Sequence, residues 1–407
     1  MTGRRSMTPR GGSILDSGVV APVLSVAGLV LVAVLSVGLL TGNLPTLFGG
    51  NGGSGNGGPG RTATPSDVVI VDPRTDVPGT LVYVKAGNVW LQRGNEAGQL
   101  TSGGRDAMAT FSPDGAWVYF IRTTPETGSW QVNGVTRRYR LATPTLMRVR
   151  VDGESEPEAL LTGRTTSGSL TWSYFLRQPA ISPDGTKAAL VTDGPEPTAS
   201  DVVLQVLDLE TLALTKVNVP ENAPLGHQDP SWSPDGRYLA YVLNGRDGTR
   251  GAPVVMRYDT TTGTASALTG PGYTAPVWSD NGKYLAATRT TAFGTDVVVL
   301  DGRGTELLRL TDDDRSFAPV WSPIGDAIAF LEIDGGVTDL WLAPVDITGL
   351  PVADGDRIQL TISAGLDAGS RPGWWVPEEL IPTPPPTPTA APSELPSDGA
   401  PASSTVP

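Results

Sequence analysis

Short apolar segments recur along the middle of the chain, and each follows the same kind of polar turn. The clearest are residues 117–121, 238–242 and 327–331. Unbroken apolar runs of this length indicate β-strands that are covered on both faces. The turns read Phe-Ser-Pro-Asp-Gly at 111–115, Ile-Ser-Pro-Asp-Gly at 181–185, Trp-Ser-Pro-Asp-Gly at 232–236, Trp-Ser-Asp-Asn-Gly at 278–282 and Trp-Ser-Pro-Ile-Gly at 321–325. Pro, Asp and a left-handed Gly suit a type I turn with a bulge, so we predict one antiparallel hairpin per copy.

The spacing of these turns predicts a β-propeller. Successive copies begin 70, 51, 46 and 43 residues apart, at positions 111, 181, 232, 278 and 321. A period near 40 to 50 residues is typical of four-stranded propeller blades. A third strand follows each hairpin, and a fourth often ends in Leu-Thr, at 100–101, 161–162, 268–269, 310–311 and 360–361.

The two ends of the repeat region predict a sixth blade. Residues 81–84, 89–91 and 99–101 are suited to strands two, three and four of a blade that has no first strand. Residues 370–375 resemble the segment that leads into every other turn. Pairing them would avoid an exposed sheet edge. We therefore predict an all-β, six-bladed propeller over residues 80–376, closed by a C-terminal strand at 371–376.

The turns followed by apolar strands resemble the TolB-type (WD40-like, PD40) propeller repeat, which also occurs in prolyl-oligopeptidase-like peptidases. The resemblance covers residues 80–376. It implies an extracytoplasmic six-bladed propeller that binds protein partners around its central channel, as TolB binds a peptidoglycan-associated lipoprotein. The chain differs from that family in having an apolar N-terminal segment and little sequence for an N-terminal α/β domain.

The segments outside the propeller predict an anchor, a linker and a tail. Residues 18–41 are apolar and long enough to span a bilayer as a transmembrane helix, and the alternative is a cleaved signal peptide. Arg4, Arg5 and Arg10 place residues 1–17 in the cytoplasm by the positive-inside rule. Residues 42–79 form a Gly-rich flexible linker, within which 68–71 are also compatible with an added strand. Residues 377–407 are a disordered Pro-rich tail.

Composition excludes several kinds of chemistry. A net charge of −13 argues against nucleic acid as a partner. With no cysteine and a single histidine, the chain lacks thiolate sites and the ligands of a catalytic transition-metal site, and it has no Ser-His hydrolase motif. We predict no cofactor and no metal site. The acidic run Asp312, Asp313 and Asp314 is expected to be a solvated loop rather than a calcium site, and the turn residues Asp114, Asp184 and Asp235 are expected to be structural.

Two insertions in the repeat lie on one face of the predicted propeller. Residues 123–144 expand a loop between strands two and three, and residues 163–178 expand the next loop between blades. Long loops on a rigid scaffold often carry function. Aromatic and arginine side chains there predict a partner-binding surface, with packing of the insertions onto the blade as the alternative. The residues of this surface are Trp130, Arg137, Arg138, Tyr139, Arg140, Trp172, Tyr174 and Phe175.

A second candidate region is the mouth of the central channel on the same face. Residues three to five positions before each turn's aromatic or apolar anchor are expected to surround it. Their mixture of polar types suits a peptide or a small polar ligand, and ordinary solvation is the alternative. The set is Asp106, Arg177, His227, Gln228, Asp229, Tyr273, Phe317 and Arg371.

These features together favour a single-pass membrane protein that displays a non-enzymatic binding scaffold outside the cell. Its partner would be a protein, a peptide or a cell-wall polymer. The alternative is a hydrolase or lyase that acts on envelope glycans through paired carboxylates at the channel mouth. A transmembrane sensor is a third possibility, although its cytoplasmic part would be too short to form a domain.

Overall fold

The chain folds as an all-β propeller of six blades, which confirms the predicted fold class. The computed structural model describes residues 77–195, 202–221, 226–245 and 252–381. Within these ranges the strands form six antiparallel sheets in chain order. Each blade's innermost strand contacts the innermost strand of the next blade, and the sixth contacts the closing strand of the first. The sheets therefore surround a central channel.

Each blade consists of consecutive strands, except that the first blade takes one strand from the C-terminal end. Blade 1 contains β1 Thr80–Lys85, β2 Asn88–Arg93, β3 Glu96–Gln99 and β27 Gly373–Trp375. Blade 2 contains β4 Asp106–Phe111, β5 Trp117–Val132, β6 Val135–Arg150 and β7 Glu158–Thr162, with β8 Arg164–Ser167 and β9 Leu170–Ser173 beside them. Blade 3 contains β10 Arg177–Ile181, β11 Lys187–Thr192, β12 Val203–Asp208 and β13 Leu214–Lys216.

The last three blades follow the same order. Blade 4 contains β14 His227–Trp232, β15 Tyr238–Leu243, β16 Val254–Asp259 and β17 Thr264–Pro271. Blade 5 contains β18 Tyr273–Trp278, β19 Tyr284–Thr290, β20 Thr295–Asp301 and β21 Glu306–Arg309. Blade 6 contains β22 Ser316–Trp321, β23 Ala327–Asp334, β24 Val337–Asp346, β25 Val352–Ala353 and β26 Ile358–Gln359. A 3₁₀ turn, Glu378–Leu380, follows the last strand.

The two ends of the propeller meet in blade 1. Trp374 lies opposite Leu81 in the β1–β27 ladder, and its indole N–H donates to the carbonyl of Pro78 at 2.8 Å. Trp374 also packs in a cluster with blade 6, and this cluster includes Val77. The indole N–H of Trp375 donates to the carbonyl of Pro113 in blade 2, at 3.2 Å. The closing strand thus ties blade 1 to both of its neighbours.

The segments predicted on either side of the propeller fall mostly outside the described residues. Residues 1–17, the predicted anchor at 18–41 and most of the predicted linker at 42–79 are not described, and neither is the tail beyond residue 381. Val77, placed in the linker by the sequence, is buried in the structure. In the part of the chain that the structure covers, no helix has the length and apolar character needed to cross a bilayer.

The repeated turns use their polar residues to hold their own shape. In the first turn the carboxylate of Asp114 accepts the Ser112 hydroxyl and the backbone N–H of Ala116. Gly115 follows at a φ of +67°, which favours glycine. The hydroxyl hydrogen bond lowers the pKa of Asp114, since it favours the charged carboxylate. Asp184 and Asp235 make the same contacts in their turns.

The two insertions are paired strands rather than the loops that the sequence suggested. β5 and β6 stay paired without interruption to Val132 and Val135. Asn133 and Gly134 join them with φ values of 52° and 76°, as a type I′ hairpin turn requires. β8 and β9 form a second hairpin that pairs with β5 through Thr171 and Ser129. The four strands make a small projecting sheet, which we call the protruding sheet, in the order β6, β5, β9, β8.

Candidate functional site

The central channel contains a cavity of about 390 Å³. It opens where the innermost strands begin. By the alternating direction of the strands, this is also the end from which the protruding sheet emerges, and we call it the insertion face. The opposite end carries the Ser-Pro-Asp-Gly turns and is called the turn face. The lining residues come from all six blades and are Met108, Ala109, Thr110, Arg177, Gln178, Pro179, Gln228, Asp229, Thr274, Ala275, Thr288, Thr295, Phe317, Ala318, Ala368, Gly369, Arg371 and Pro372.

Five of the eight residues predicted at the channel mouth line this cavity. They are Arg177, Gln228, Asp229, Phe317 and Arg371. Each lies three or four positions before the residue that anchors its turn or closing strand. Residues five positions before the anchor do not line the cavity. The prediction therefore included one position too many, the fifth residue before each anchor.

Asp106 is one of the three residues that the prediction misplaced. It is 2% exposed and accepts hydrogen bonds from the Arg122 guanidinium at 2.6 and 2.8 Å. It also accepts a hydrogen bond from the hydroxyl of Thr101. That hydroxyl oxygen in turn accepts the backbone N–H of Val89 at 2.9 Å. Asp106 thus joins strands of blades 1 and 2 and is not available to a ligand in the channel.

His227 and Tyr273 are also placed away from the cavity. The Nδ1 atom of His227 accepts the backbone N–H of Leu204 at 3.0 Å, and Nε2 lies 2.7 Å from the carbonyl oxygen of Pro220. A neutral ring protonated at Nε2 satisfies both contacts. The hydroxyl of Tyr273 donates to Glu306 in its own blade, at 3.0 Å. Both side chains therefore serve the scaffold.

The innermost strands of blades 2 to 6 share an unusual backbone conformation at the channel. One residue in each has a positive φ between 48° and 57°, and the register of its ladder shifts at that point. Such bulges re-aim the backbone groups of a strand. The residues are Met108, Gln178, Asp229, Ala275 and Ala318.

The bulges are connected by hydrogen bonds that pass from blade to blade. The N–H of Gln178 donates to the sulfur of Met108 at 3.2 Å, and the N–H of Asp229 donates to Oε1 of Gln178 at 3.0 Å. The N–H of Ala275 donates to the carboxylate of Asp229 at 3.0 Å. Gln178 is not among the residues predicted from the sequence, although its position three residues before Ile181 matches that of Asp229 before Trp232. These bonds hold the channel wall in one arrangement.

Charge in the cavity is predominantly positive. Arg371 reaches from the closing strand to the far side, where its guanidinium donates to the carbonyls of Pro276 at 3.0 Å and Pro230 at 3.5 Å. Arg177 is exposed at the mouth and makes no ion pair among the described residues. Asp229 is the single carboxylate among the lining residues. Two cations therefore face one anion.

Burial opposes the charged forms of both groups deep in the channel. It raises the pKa of Asp229 and lowers the pKa of Arg371, and the attraction between the two charges acts in the opposite direction on each. Asp229 keeps part of its surface in contact with the channel, although protein surrounds it closely. A ligand carboxylate entering the cavity would meet the Arg371 guanidinium in this poorly solvated environment.

The predicted aromatic and arginine surface is divided between the two faces of the protruding sheet. Trp130 and Trp172 touch edge to face, with ring centroids 5.3 Å apart. Arg137 is paired directly with Trp130 and therefore shares its face, whereas Arg138 is paired with Ser129 and lies on the other. By the same alternation Tyr139 joins Trp130, and Arg140 joins Arg138.

The remaining two aromatic residues of that prediction lie where the insertion returns to the blade. Tyr174 is 7% exposed, and its hydroxyl donates to the carbonyl of Thr162 at 3.1 Å. This contact matches the packing alternative for Tyr174. Phe175 is 36% exposed, and its N–H donates to Asp193 at 2.7 Å. Phe175 stays a candidate contact residue beside the channel mouth.

The acidic run at 312–314 is used within the scaffold and is not a simple solvated loop. Asp313 pairs with Arg357 and accepts the hydroxyl of Ser316. The backbone N–H of Asp314 donates to Asp296 at 3.1 Å. In the described ranges no three histidine, aspartate or glutamate side chains are gathered so as to hold a metal ion.

Sequence comparison with known proteins shows similarity over part of the chain. No known protein-family profile matches the chain. An uncharacterized protein of Agrobacterium fabrum is 30% identical over 149 residues, which cover 35% of this chain and 42% of that protein. The chain thus matches less than half of this curated relative's length.

Solved propeller structures extend the comparison to most of the described chain. TolB from Acinetobacter baumannii superposes with a TM-score of 0.52 at 17% identity, over 74% of this chain and 67% of its own. A putative TolB from Agrobacterium tumefaciens gives a TM-score of 0.45 at 16% identity, over 70% and 92%. The superposition on TolB from Acinetobacter baumannii, together with the six blades described above, makes the fold a TolB-like six-bladed propeller.

Proposed function

We propose that this chain is a membrane-anchored, extracytoplasmic scaffold that binds a protein or peptide partner without catalysing a reaction. The partner would contact the insertion face, with an anionic group in the channel. The observation that carries this proposal is the cavity itself, in which Arg177 and Arg371 face Asp229 alone. An arginine at the channel mouth attracts an anionic group of a partner and repels a cationic one.

The remaining hydrogen-bond donors of Arg371, and the fixed backbone around it, support a role in ligand binding for this residue rather than a purely structural one. A guanidinium has five N–H donors, and the two carbonyl contacts of Arg371 account for only part of them. The bulges that surround it are held by hydrogen bonds from backbone N–H groups to side chains of the neighbouring blades, so a ligand would not have to order the wall. A carboxylate is the group that best matches the free part of a guanidinium.

The glycan hydrolase or lyase alternative needs a second carboxylate. Glycosidases use two carboxyl groups that flank the reacting bond. Among the described lining residues only Asp229 has one, and it is engaged by Gln178 and by the N–H of Ala275. These contacts favour the binding proposal over the enzymatic one.

The proposed topology can be tested with single cysteines, because the natural chain has none. Phe293→Cys places a thiol at a residue that is 91% exposed, whereas Thr8→Cys places one in the predicted cytoplasmic segment. A membrane-impermeant maleimide should label the first variant in intact cells and the second only after lysis. Labelling of both, or of neither, in intact cells would contradict the proposed topology.

The binding site can be tested by crosslinking and affinity capture with the tagged full-length chain. Arg177→Gln removes the exposed cation at the mouth, and Arg303→Gln is the matched change at an exposed arginine on the turn face. Loss of a hydrogen bond to a charged group costs about 1.5–3 kcal/mol, so Arg177→Gln should lower partner recovery at least about tenfold. Arg303→Gln should leave recovery unchanged. Full recovery with Arg177→Gln, at an unchanged melting temperature, would refute the proposed site.

A further inference from the structure

One long edge of the protruding sheet has no strand beside it in the described structure. β7 pairs with β6 only as far as Thr145, and the last contact of that ladder is the N–H of Gly163 donating to the carbonyl of Pro144 at 2.7 Å. From residue 143 to residue 135, β6 pairs with β5 alone. The outer edge of β5, in contrast, pairs with β9 through Ser129 and Thr171. Nine residues of β6 therefore present a free edge.

The direction of the backbone groups along this edge follows from the same contact. Because the carbonyl of Pro144 points away from β5, every second residue of β6 before it does the same. Pro125 and Pro144 agree with this assignment, since their positions are ones whose N–H would not serve the β5–β6 ladder. The outward-pointing residues are thus Thr136, Arg138, Arg140 and Ala142. Their N–H and C=O groups form a template for one more strand.

Side chains along the edge differ between its two sides. Thr136, Arg138, Arg140 and Ala142 lie on one side, whereas Arg137 and Tyr139 lie on the other, together with Trp130. None of the three arginines makes an ion pair with another described residue. All residues from 131 to 140 are exposed. One side of the edge therefore carries Arg138 and Arg140, and the other carries Arg137 between the apolar and aromatic side chains of Val135 and Tyr139.

Charged side chains on an edge strand often serve only to prevent unwanted pairing. Here the opposite side of the same strand argues for a partner. Tyr139, Trp130 and Val135 are 41%, 38% and 58% exposed, so a guarded edge would carry a large uncovered apolar surface beside its charges. An incoming strand with acidic side chains on one side and apolar side chains on the other would complement both.

We propose that the free edge of β6 at residues 135–143 binds an extended peptide by strand addition, and that this peptide alternates acidic and apolar residues. Its acidic residues would lie beside Arg138 and Arg140, and its apolar residues beside Tyr139 and Val135. This deepens the proposed function and rests on it only in that the chain binds a partner, since the site lies apart from the channel. A second copy of this chain fits the edge poorly, because pairing two such edges would bring arginines together.

The test uses the full-length chain and a fluorescent peptide of the sequence Thr-Glu-Val-Glu-Val-Glu-Val-Thr, with acetyl and amide ends. Fluorescence anisotropy should show saturable binding that weakens at least about tenfold when lysine replaces glutamate. N-methylation of alternate peptide residues blocks hydrogen bonding along one edge of the peptide, so there are two methylated forms, or phases, one for each edge. The phase whose methyl groups face β6 should also bind at least about tenfold more weakly. N-methylation of the other phase should have little effect.

Variants of the chain test the same edge from the other side. Ala142→Pro removes an outward N–H and obstructs the incoming strand, while the ladder with β5 keeps its hydrogen bonds. It should weaken binding at least about tenfold, as should Arg138→Gln combined with Arg140→Gln. Arg177→Gln should bind the peptide normally, which separates failure of this proposal from failure of the channel proposal. Hydrogen exchange at Val135, Arg137 and Tyr139 monitors whether the hairpin stays formed.

Three results would overturn the proposal. The first is equal affinity for the glutamate and lysine peptides, and the second is equal affinity for both N-methylated phases. The third is a concentration-dependent dimer in analytical ultracentrifugation that Ala142→Pro abolishes, which would make the edge an interface between copies. Should Ala142→Pro disrupt the hairpin, the N-methylated peptides decide the question with the unaltered chain.

Discussion

Protonation of one buried side chain, His227, should contribute to destabilisation of the propeller on acidification. The ring is 3% exposed, and both of its nitrogens have partners, the N–H of Leu204 and the carbonyl of Pro220. Protonation would place a second N–H at Nδ1, directly against the N–H of Leu204. Burial lowers the pKa of His227, while the Pro220 carbonyl and the charge of Glu221 oppose this shift.

The magnitude follows from proton linkage. Because the pKa of His227 is lower in the folded chain than its ordinary value of about 6.5, the unfolded chain takes up the proton first as the pH falls. The contribution to stability is therefore complete above about pH 6.5 and is lost as the pH falls towards the folded-state pKa. Between pH 7 and pH 5.5 the free energy of unfolding should fall by at most about 1.2 kcal/mol from this residue alone, the limit set by proton uptake in the unfolded chain.

Urea unfolding, followed by tryptophan fluorescence at pH 7.0, 6.5, 6.0 and 5.5, measures this loss. His227→Gln provides the control, because it is neutral throughout and the chain has no other histidine. The variant will be less stable at pH 7 but should lose less stability on acidification. Subtracting the two curves removes the carboxylate contributions that they share. Parallel curves would refute the assignment of His227 as a neutral, doubly bonded scaffold residue.

Four further substitutions test the fold and the protruding sheet. Gly115→Ala and Gly236→Ala share a left-handed φ, but the new Cβ would lie 2.1 Å from the ring of Trp375 in the first and 4.0 Å from its nearest neighbour in the second. Urea unfolding should show a cost of about 1–2 kcal/mol for Gly236→Ala and clearly more for Gly115→Ala; equal costs would contradict the close approach. Trp374→Ala should cost about 3–5 kcal/mol by opening the closing cluster, and a change under 1 kcal/mol would contradict its role. Gly134→Ala, at φ +76° with open space around it, should speed hydrogen exchange in the hairpin with little change in global unfolding, whereas unchanged exchange would contradict the turn assignment.

The fold was predictable because a propeller repeats its sequence. The five Ser-Pro-Asp-Gly-type turns identify hairpins, and the structure confirms six blades. The residues of the channel mouth were harder to identify, because a bulge in the innermost strands of blades 2 to 6 reverses the simple alternation of side chains. Arg177 and Asp229 line the cavity, whereas His227, two residues before Asp229, is buried in the scaffold.

The strand pairing of the protruding sheet could have been predicted from its turn sequence. The dipeptide Asn133-Gly134 is a strong signal for a hairpin turn. Because side chains alternate along the two flanking strands, this turn would have predicted that Arg137 and Arg138 lie on opposite faces of the sheet. The role of His227 had no comparable signal. A threonine hydroxyl accepts the N–H of strand three in four blades, at Thr101, Thr269, Thr311 and Thr361. In blade 3 the ring of His227 takes that place, and only the three-dimensional pairing shows it.

Site-specific photo-crosslinking in intact cells tests the central claim most directly. A photoreactive residue at position 228, in place of Gln228, lies in the channel, and one at position 283, in place of Lys283, lies exposed on the turn face. The binding account predicts a discrete covalent adduct from position 228, abolished by Arg177→Gln and absent from position 283. An adduct from position 283 alone, or one from position 228 that Arg177→Gln leaves unchanged, would contradict it.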